Sequence, residues 1–398
     1  MKNFKSNLYN YFFLFIYYFL KFISPIINIR LLEIETRSIG HSSEPIEIHL
    51  LEKRKGLIKK NFRDFDIYFG QHQIANEFLW TKWKKILKLN FNDKFKIKVF
   101  GPVFRIAIKK RNMKMLIPYR HHYFRSRDND NSWQTNDINN VLKDEKPIIF
   151  FSEQEEKIAT NFLKKYNILK NDKIILLCNR DPFYRIQLKT NKNEIKYGHR
   201  DQKIDDYELG VKYLCDLNYK VIRMGKNMHR KMNFKHDNFF DYAFSEIRSD
   251  MLDIYLFKIC KFVISSQTGI DSVASLFRKE IFHVNFNEFL LFLNKNCNIV
   301  HPKKFFYKKN GKELNIYELY REVVSNHLDY NYNESEIEYK DLNKEEINLA
   351  FTEIIKVYEN GQDSETIKLN NEVKKKIYEQ IGIKYNFLFS KQYLKSFY

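Results

Sequence analysis

The residues best suited to chemistry in this chain of 398 residues are arginines that follow predicted strands. Arg180 lies in the segment 179–181, directly after the predicted strand 173–177 and Cys178, and Arg200 follows in the segment 198–201. A guanidinium group grips phosphate through paired, charge-assisted hydrogen bonds. We therefore predict a site for a phosphorylated ligand, with a surface Arg–Asp pair or a plain surface loop as the alternative at each position.

A loop rich in hydroxyl groups lies between a predicted buried strand at 262–264 and a predicted helix at 271–277. Backbone N–H groups, hydroxyl groups and a helix N-terminus can bind an anion without a metal. We expect Asp271 to orient the loop or to hold the ribose of a phosphorylated ligand. Many α/β loops have this composition, so the pattern is weak alone. The loop residues are Ser265, Ser266, Gln267, Thr268 and Gly269.

Arg223 and Gly225 end the next predicted strand, 220–224. Gly225 permits a sharp turn of the backbone, because glycine adopts conformations closed to other residues. Arg223 is a candidate phosphate ligand. Its position inside the strand favours the alternative, a core cation whose charge is paired.

Two residues are candidate general bases. His41 follows the first predicted strand, and an imidazole changes its charge near neutral pH. Asp181 is the second candidate. A lone histidine is more often structural, so that alternative stays open for His41. Gly40 and His199 are expected on the acceptor side of the site.

The sequence predicts no metal site. Two D-x-D motifs occur, at 64–66 and 128–130, but neither follows the end of a strand, where a metal-bound ligand of a parallel sheet would lie. No cysteine pair or histidine cluster has zinc-ligand spacing. The cysteines fit small core residues in a reducing cytosol, and they are Cys178, Cys215, Cys260 and Cys297.

Short strands alternate with helices along most of the chain, which predicts an α/β fold with parallel sheets. We expect two doubly wound, Rossmann-like domains facing across a cleft, at 29–147 and 148–340, followed by a helical segment at 341–398. The segment 96–127 gives no clear pattern, and 126–146 is expected to be a polar surface loop. The predicted strands are 30–35, 66–69, 173–177, 220–224, 262–264 and 279–285. The predicted helices are 44–53, 73–87, 153–166, 205–217, 250–260 and 271–277.

Residues 1–28 form a hydrophobic segment that we expect to associate with a membrane. The apolar run 8–20 is interrupted by Lys21 and is shorter than the roughly 20 residues that a span needs. Tyrosine and phenylalanine dominate it, and tyrosine in particular is typical of the membrane–water boundary. We predict peripheral contact through 8–27 at the inner, cytoplasmic face of the cell membrane. A buried first helix and a tilted span are the alternatives.

The formal net charge is +20. A basic excess attracts acidic lipids, nucleic acid or phosphorylated substrates, although an A+T-rich genome would also enrich lysine. Basic residues are spread along the chain and form no long block, which argues against nucleic acid as a partner.

Between about 30 and 360 the chain resembles bacterial surface-polysaccharide glycosyltransferases with a GT-B-type fold. No single motif is strong alone, but the order of the motifs along the chain is specific. Tyr197 and Gly198 depart from it, since a histidine and an aromatic residue are expected there. The matching segments are Arg37 to His41, Cys178 to Asp181, His199 to Asp201, Val221 to Gly225, Asp241 to Gly269 and Glu345 to Ala350.

This resemblance implies transfer of a sugar from a nucleotide-sugar donor to a cell-surface glycan or a lipid-linked acceptor, without a metal or another cofactor. Arg180, Arg200 and the loop 265–269 would then stabilise the charge that builds on the departing nucleoside diphosphate. Two alternatives remain: a sugar-nucleotide epimerase of the same architecture, and a non-catalytic basic module that binds acidic polymers or membrane.

Overall fold

The chain divides into two compact units, Met1–Ile149 and Phe150–Tyr398. The first contains a two-stranded sheet. The second contains a seven-stranded sheet and a separate two-stranded one. The structure, a computed structural model, describes residues 2–89, 93–119, 137, 139–169, 171–183, 198–287, 298–325, 335–382 and 384–395.

The first unit joins five helices to two strands within its described residues. Its elements are α1 (Lys2–Ile23), β1 (Asn28–Glu33), α2 (Glu44–Arg54), β2 (Asp64–Phe69), α3 (Glu77–Ile86), α4 (Asp93–Lys109) and α5 (Val141–Asp144). Ser43 stands at the N-cap position of α2, but its hydroxyl donates to the Gly40 carbonyl instead of accepting from the helix. Asn76 caps α3 by accepting a hydrogen bond from the Leu79 N–H at 2.8 Å.

The prediction of a doubly wound sheet is wrong for the described part of this unit. β1 and β2 pair in parallel, and a single bridge joins Leu31 to Leu116. The first part of the segment without a clear sequence pattern, residues 96–109, folds within α4, which packs against α1 and β1. Its apolar residues serve helix packing, with Val103 and Ala107 completely buried, and so contribute no further strand.

The expectation of a polar surface loop at 126–146 is also wrong where the structure describes it. α5 lies there, and Val141 and Leu142 are buried against Ile48 and Leu51. The Asp137 carboxylate accepts hydrogen bonds from the first two N–H groups of α5 at 2.7 and 2.6 Å. The second D-x-D motif, at 128–130, lies outside the described residues.

The N-terminal segment forms the 22-residue helix α1. Phe13, Tyr17 and Leu20 lie on one face of it and are buried. Within the ranges that the structure describes, no helix combines the length and the apolar character that crossing a bilayer requires.

The predicted α/β class with a parallel sheet is confirmed in the second unit. All neighbouring strands of its large sheet are parallel, in the order β11-β8-β7-β6-β3-β4-β5. The strands are β3 (Ile174–Cys178), β4 (Lys220–Arg223), β5 (Phe239–Phe240), β6 (Phe262–Ser265), β7 (Glu280–Phe286), β8 (Ile299–Pro302) and β11 (Leu388–Phe389). The antiparallel pair is β9 (Lys304–Tyr307) and β10 (Ile337–Lys340).

Helices cover this sheet, and close contact between two of them depends on a glycine. A Cβ atom added at Gly210, in α7 (Glu208–Asp216), would lie 2.7 Å from the ring of Phe351, in α11 (Lys344–Asn360). These two helices cover the sheet face that carries Ile175, Val221 and Ile264. The helices are α6 (Glu153–Lys164), α7 (Glu208–Asp216), α8 (Asp250–Ile259), α9 (Ser272–Leu276), α10 (Ile316–Ser325), α11 (Lys344–Asn360), α12 (Ser364–Ile381) and α13 (Lys391–Lys395).

Candidate functional site

The strand order of the large sheet places a switch point between β3 and β6. The chain runs from β3 to β4 and β5 on one side, and then returns to place β6 on the other side of β3. Cys178 and Ser265, the last residues of β3 and β6, are paired in register. The loops that follow the two strands therefore leave the sheet side by side, and ligands of open parallel sheets bind at this location.

Direct hydrogen bonds join these two loops. The Ser266 N–H donates to the Cys178 carbonyl at 3.0 Å, and the Arg180 N–H donates to the Ser266 hydroxyl at 2.8 Å. Arg180 and Ser266 are 86 residues apart in sequence, and the sheet makes them neighbours.

A third segment reaches the same loops. A short 3-10 turn at Gly198–Arg200 directs the Arg200 guanidinium to the Gln267 carbonyl, which accepts its hydrogen bond at 2.8 Å. The Gln202 N–H donates to the Arg180 carbonyl at 3.2 Å. The Arg180 guanidinium contacts the Asp201 carboxylate, also at 3.2 Å. The structure thus brings together Arg180, Arg200 and the loop 265–269.

The parts of this cluster differ in their exposure to solvent. Arg180 is 9% exposed and has the Asp201 carboxylate beside it, so its charge is partly compensated within the protein. Arg200 and Thr268 are half-buried, and Gly269 is exposed. A ligand that approaches from solvent therefore meets Arg200 and the outer part of the loop first.

The inner part of the loop 265–269 is held by buried polar contacts. Ser265 and Asp271 are completely buried, and the Ser265 hydroxyl donates to the Asp271 carboxylate at 2.7 Å. The Thr268 N–H donates to the same Ser265 oxygen at 3.4 Å. Asp271 thus fits the expected role of orienting the loop, because a completely buried carboxylate does not line a surface for a ribose.

Gln267 fixes the loop from a backbone conformation that is uncommon for a residue with a side chain. Its φ is 60°, in the left-handed region. Its side chain is completely buried, and the Oε1 atom accepts a hydrogen bond from the Asn287 N–H at 2.8 Å. The buried side chain holds the Gln267 carbonyl where Arg200 reaches it, so Gln267 positions Arg200 and does not itself face a ligand.

The helix predicted at 271–277 is shorter than expected. A 3-10 turn at Gly269–Asp271 leads into α9, which has only five residues. A helix dipole arises from aligned peptide groups. A helix as short as α9 therefore adds little to anion binding. The arginines and the backbone N–H groups therefore remain as the main candidates for binding an anion in this cluster.

The expected phosphate-binding role of Arg223 is wrong. Its side chain is completely buried, where its guanidinium contacts the Asp241 carboxylate at 3.1 Å and donates to the Arg230 carbonyl at 2.8 Å. Burial lowers the pKa of Arg223, and Asp241 partly offsets that effect. The alternative interpretation, a paired core cation, describes this residue.

Gly225 is required by packing and not by a left-handed turn. Its φ lies outside the left-handed region. A Cβ atom added there would lie 2.7 Å from the Met228 side chain and 3.2 Å from the Cβ of Ala243. Nothing in this environment assigns Gly225 to a ligand.

Asp181 has a structural role that competes with its expected role as a base. One oxygen of its carboxylate accepts a hydrogen bond from the Phe183 N–H at 2.9 Å, and the other accepts from the His229 N–H at 3.0 Å. Both oxygens are thus occupied in tying the loop after β3 to the segment that follows β4.

The backbone of His199 is fixed by residues that the sequence analysis missed. The His199 carbonyl accepts hydrogen bonds from Asn287 at 2.6 Å and from the Lys303 ammonium at 2.5 Å. Lys303 is completely buried, and its pKa is lowered by burial although Asp341 contacts it at 2.6 Å. Asn287, Lys303 and Asp341 each directly follow a strand, and only the strand before Asn287 was predicted from the sequence.

His41 and Gly40 lie in the turn that connects β1 to α2, in the first unit. Both are half-buried. The Gly40 carbonyl accepts the Ser43 hydroxyl at 3.1 Å, and the Ser42 hydroxyl donates to the Ser38 carbonyl, also at 3.1 Å. These hydrogen bonds give the turn a defined shape, and the proposed roles of both residues stay predictions.

The first D-x-D motif forms ion pairs inside the first unit. Arg30 contacts Asp64 at 3.2 Å and Asp66 at 2.8 Å, and Lys53 contacts Asp66 at 3.1 Å. Across the described ranges, no three histidine, cysteine, aspartate or glutamate side chains gather as metal ligands would. Cys178, Cys215 and Cys260 are buried, as expected of core residues, and Cys297 and Tyr197 lie outside the described residues.

Comparison with known proteins gives a distant structural similarity. No protein-family model matches the sequence, and none of the curated proteins is significantly similar to it. Among solved structures, the chain is similar to a glycosyl transferase family 9 protein from Veillonella parvula DSM 2008. The TM-score is 0.43 and the sequence identity is 10%, over 81% of this chain and 96% of that chain. The function of the chain therefore has to be inferred from its own residues.

Proposed function

We propose that the protein is a glycosyltransferase that moves a sugar from a nucleotide-sugar donor to a glycan or a lipid-linked acceptor. The observation that carries this proposal is the meeting of Arg180 and Arg200 with the loop 265–269 at the switch point of the parallel sheet. Such a cluster is suited to a ligand that carries a diphosphate.

The chemistry of sugar transfer needs positive charge at that position. When the bond between sugar and diphosphate breaks, negative charge builds on the departing nucleoside diphosphate. Donors that are fixed in advance stabilise this charge most effectively, because they need no reorganisation during the reaction. Arg200 is fixed in advance by its hydrogen bond to the Gln267 carbonyl.

The two arginines are assigned different roles. Arg200 is half-buried beside the exposed Gly269, so we propose that its guanidinium contacts the diphosphate. Arg180 is more deeply buried and contacts Asp201. We propose that Arg180 chiefly holds the loop after β3 and adds positive charge behind the site.

His41 is the proposed base that removes the proton of the acceptor hydroxyl. Asp181 is a weaker candidate, because both of its carboxylate oxygens already accept backbone hydrogen bonds. In this proposal the charge of the leaving group is met by arginine side chains, and we expect turnover to persist in EDTA. Loss of turnover in EDTA with recovery on adding Mn²⁺ would contradict this expectation.

Donor binding tests the proposal directly. The full chain is heated with UDP-, GDP-, CMP- or ADP-linked sugars, since a ligand that binds the folded state stabilises it by about 2.7 kcal/mol at a hundred times its Kd. One donor class should raise the melting temperature of the wild type and of Arg321→Ala, an exposed arginine in the same unit. Arg200→Ala should lose most of that shift. An equal shift in Arg200→Ala, or no shift with any donor, would remove the proposed site.

Turnover separates the proposed transferase from an epimerase. With acceptor present, Arg200→Ala should lower kcat by roughly 10² to 10³, the effect of removing one group that stabilises transition-state charge. Arg321→Ala should keep the wild-type rate. The donor is also incubated without acceptor, because only an epimerase would then change the stereochemistry of the sugar.

A further inference from the structure

Helix α1 has one face that is fixed to the first unit. Phe13, Tyr17 and Leu20 follow a helical spacing and are buried, and α1 packs against α4. The Tyr17 hydroxyl accepts a hydrogen bond from the Asn112 side chain at 3.1 Å. The helix is therefore attached along its side, and its remaining surface has a fixed direction relative to this unit.

That remaining surface is aromatic and exposed. It continues past the end of α1 to Phe62, because Arg63 donates to the Pro25 carbonyl at 2.7 Å and holds the two segments together. Phe22 is 82% exposed and Phe62 is 91% exposed. We call this surface the aromatic face, and its residues are Tyr9, Tyr11, Phe12, Phe15, Tyr18, Phe19, Phe22, Ile26, Ile27 and Phe62. Soluble monomers rarely expose so continuous an apolar patch.

The charges around the aromatic face are positive. The sequence has no acidic residue before Glu33, and Lys21 lies in the last turn of α1. The Lys110 ammonium lies 5.4 Å from the ring centre of Tyr18. It belongs to an exposed basic group at the end of α4 and just beyond it, made of Lys109, Lys110, Arg111 and Lys114. A partner that covers the aromatic face would meet these cations at its edge.

We infer that the aromatic face docks on the surface of an anionic phospholipid bilayer, with α1 lying in the membrane plane. Tyrosine is enriched at the membrane–water boundary, and exposed phenylalanines add apolar area that reaches the acyl chains. Lysine and arginine beside such a surface attract acidic headgroups. The buried face of α1 meanwhile keeps the first unit attached to the bilayer surface.

The charge pattern favours a bilayer over a second copy of the chain. In a twofold dimer the same patch would meet itself, so the cations around one aromatic face would approach those of its partner. An anionic bilayer instead supplies the opposite charge. This inference is independent of the proposed reaction, and its test needs no sugar donor.

Vesicle flotation of the full chain tests the apolar part. Wild type should float with phosphatidylcholine vesicles that contain phosphatidylglycerol. A variant with Ser in place of Phe15, Phe19 and Phe22 should bind these vesicles at least about tenfold more weakly. A tenfold loss corresponds to about 1.4 kcal/mol of binding free energy. The matched control changes Phe150, Phe162 and Tyr378 to Ser, three exposed aromatic residues of the second unit. That control should bind as wild type does.

A second variant tests the charges without changing any residue of α1. A variant with Glu in place of Lys109, Lys110 and Lys114 should lose the preference for vesicles with phosphatidylglycerol over pure phosphatidylcholine. Its affinity for the anionic vesicles should fall by about fivefold for each lysine removed. The matched control changes Lys157 and Lys164 of α6, and Lys165 directly after it, to Glu. This gives the same charge difference at exposed positions elsewhere. That control should keep the preference.

Three outcomes would overturn the inference. The first is no binding of wild type to either vesicle, and the second is equal binding of the aromatic variant and wild type. The third is a wild-type dimer in sedimentation velocity without vesicles that the aromatic variant converts to a monomer while vesicle binding stays unchanged. That result would assign the aromatic face to a second copy.

Discussion

The two units use their polar groups differently. In the first unit a two-stranded sheet contains buried charges, with Arg30 of β1 paired to Asp64 and Asp66 of β2. In the second unit the central strand β3 is entirely apolar, and the arginines and hydroxyl groups of the cluster lie at or beyond the strand ends.

This difference follows from the size of the sheets. A seven-stranded sheet covered by helices buries a large apolar surface, and buried cations such as Arg223 and Lys303 lie at or just beyond the ends of its strands. Its polar groups can then gather at the edge, where a ligand arrives. A two-stranded sheet buries less apolar surface. Its charged residues, such as Arg30, instead help to hold the two strands together. We propose that the second unit binds its ligand at this edge of the sheet.

The largest expected effect breaks the ion pairs of the first unit. Arg30→Leu leaves the buried Asp64 and Asp66 without their main compensating charge, which should lower the free energy of unfolding by about 3–5 kcal/mol. Urea unfolding followed by circular dichroism measures the change. Arg54→Leu, on the exposed face of α2, should change it by less than about 0.5 kcal/mol. Similar losses in both variants would mean that these buried ion pairs stabilise the fold no more than an exposed arginine does.

The next effect concerns pH and also belongs to the first unit. His49 has its pKa lowered from 6.5 to about 4, first by burial and then by the nearby Lys53. Folded protein keeps this ring neutral while unfolded protein protonates it. Stability is therefore fully present above pH 6.5 and falls as pH decreases through 6.5 towards about 4, by about 3 kcal/mol for this residue.

Urea midpoints measured across that pH range test this sign. His49→Gln should show a shallower loss of stability than wild type as pH falls below 6.5. His72→Gln, at an exposed position in the same unit, should reproduce the wild-type slope. A slope that His49→Gln leaves unchanged would assign the pH dependence to other groups.

A smaller expected effect tests the role of the sheet edge in the second unit. Ser266→Ala removes the hydroxyl that accepts the buried Arg180 N–H, which should cost about 1–3 kcal/mol of stability. The variant should also reduce the thermal shift caused by the donor. The control is Ser275→Ala, whose buried hydroxyl makes no hydrogen bond within the described residues. If Ser275→Ala weakens donor binding equally, the hydrogen bond between the loops has no special role.

The smallest expected effect comes from a substitution in the second unit that is remote from its sheet edge. Asn343 and Glu346 form a capping box at the start of α11, with hydrogen bonds of 2.9 and 3.0 Å. Asn343→Ala should cost about 1 kcal/mol of stability and leave the donor-induced shift unchanged. Asn360→Ala, at the exposed end of the same helix, should alter neither quantity. Thermal unfolding with and without donor measures both.

Much of the second unit could be predicted because its signals are local. The strands at 174–178 and 262–265 are fully buried, so they read as continuous apolar runs. The rule that ligands bind beyond strand ends then pointed to Arg180 and to the loop 265–269. By contrast, β5 and β11 have two residues each, which is too short for any pattern.

The first unit was harder to predict for a different reason. The helix Asp93–Lys109 contains Pro102 and mixes aromatic with basic residues, so its sequence has no simple period. Val141 and Leu142 lie beside a polar stretch, and their burial depends on α2, which is distant in sequence. Local patterns do not record such partners.

Two arginines show what remained undecided by the sequence. Arg180 and Arg223 both occur at the carboxyl end of a buried strand, and their sequence surroundings are similar. In the structure Arg223 is completely buried against Asp241, whereas Arg180 reaches the loop of a neighbouring strand. Lys303 and Asp341 were missed, because the strands before them carry weak sequence signals.

The sequence by itself determined the α/β class, the main strands of the large sheet and the segments that bear its chemistry. Apolar periodicity and turn residues set these features, and both act over a few neighbouring residues. Only the tertiary structure decided which arginine is buried, which loops meet and which face of α1 stays exposed. Those outcomes depend on contacts between residues far apart in the chain, whose free energies exist only once the sheet and its covering helices have formed.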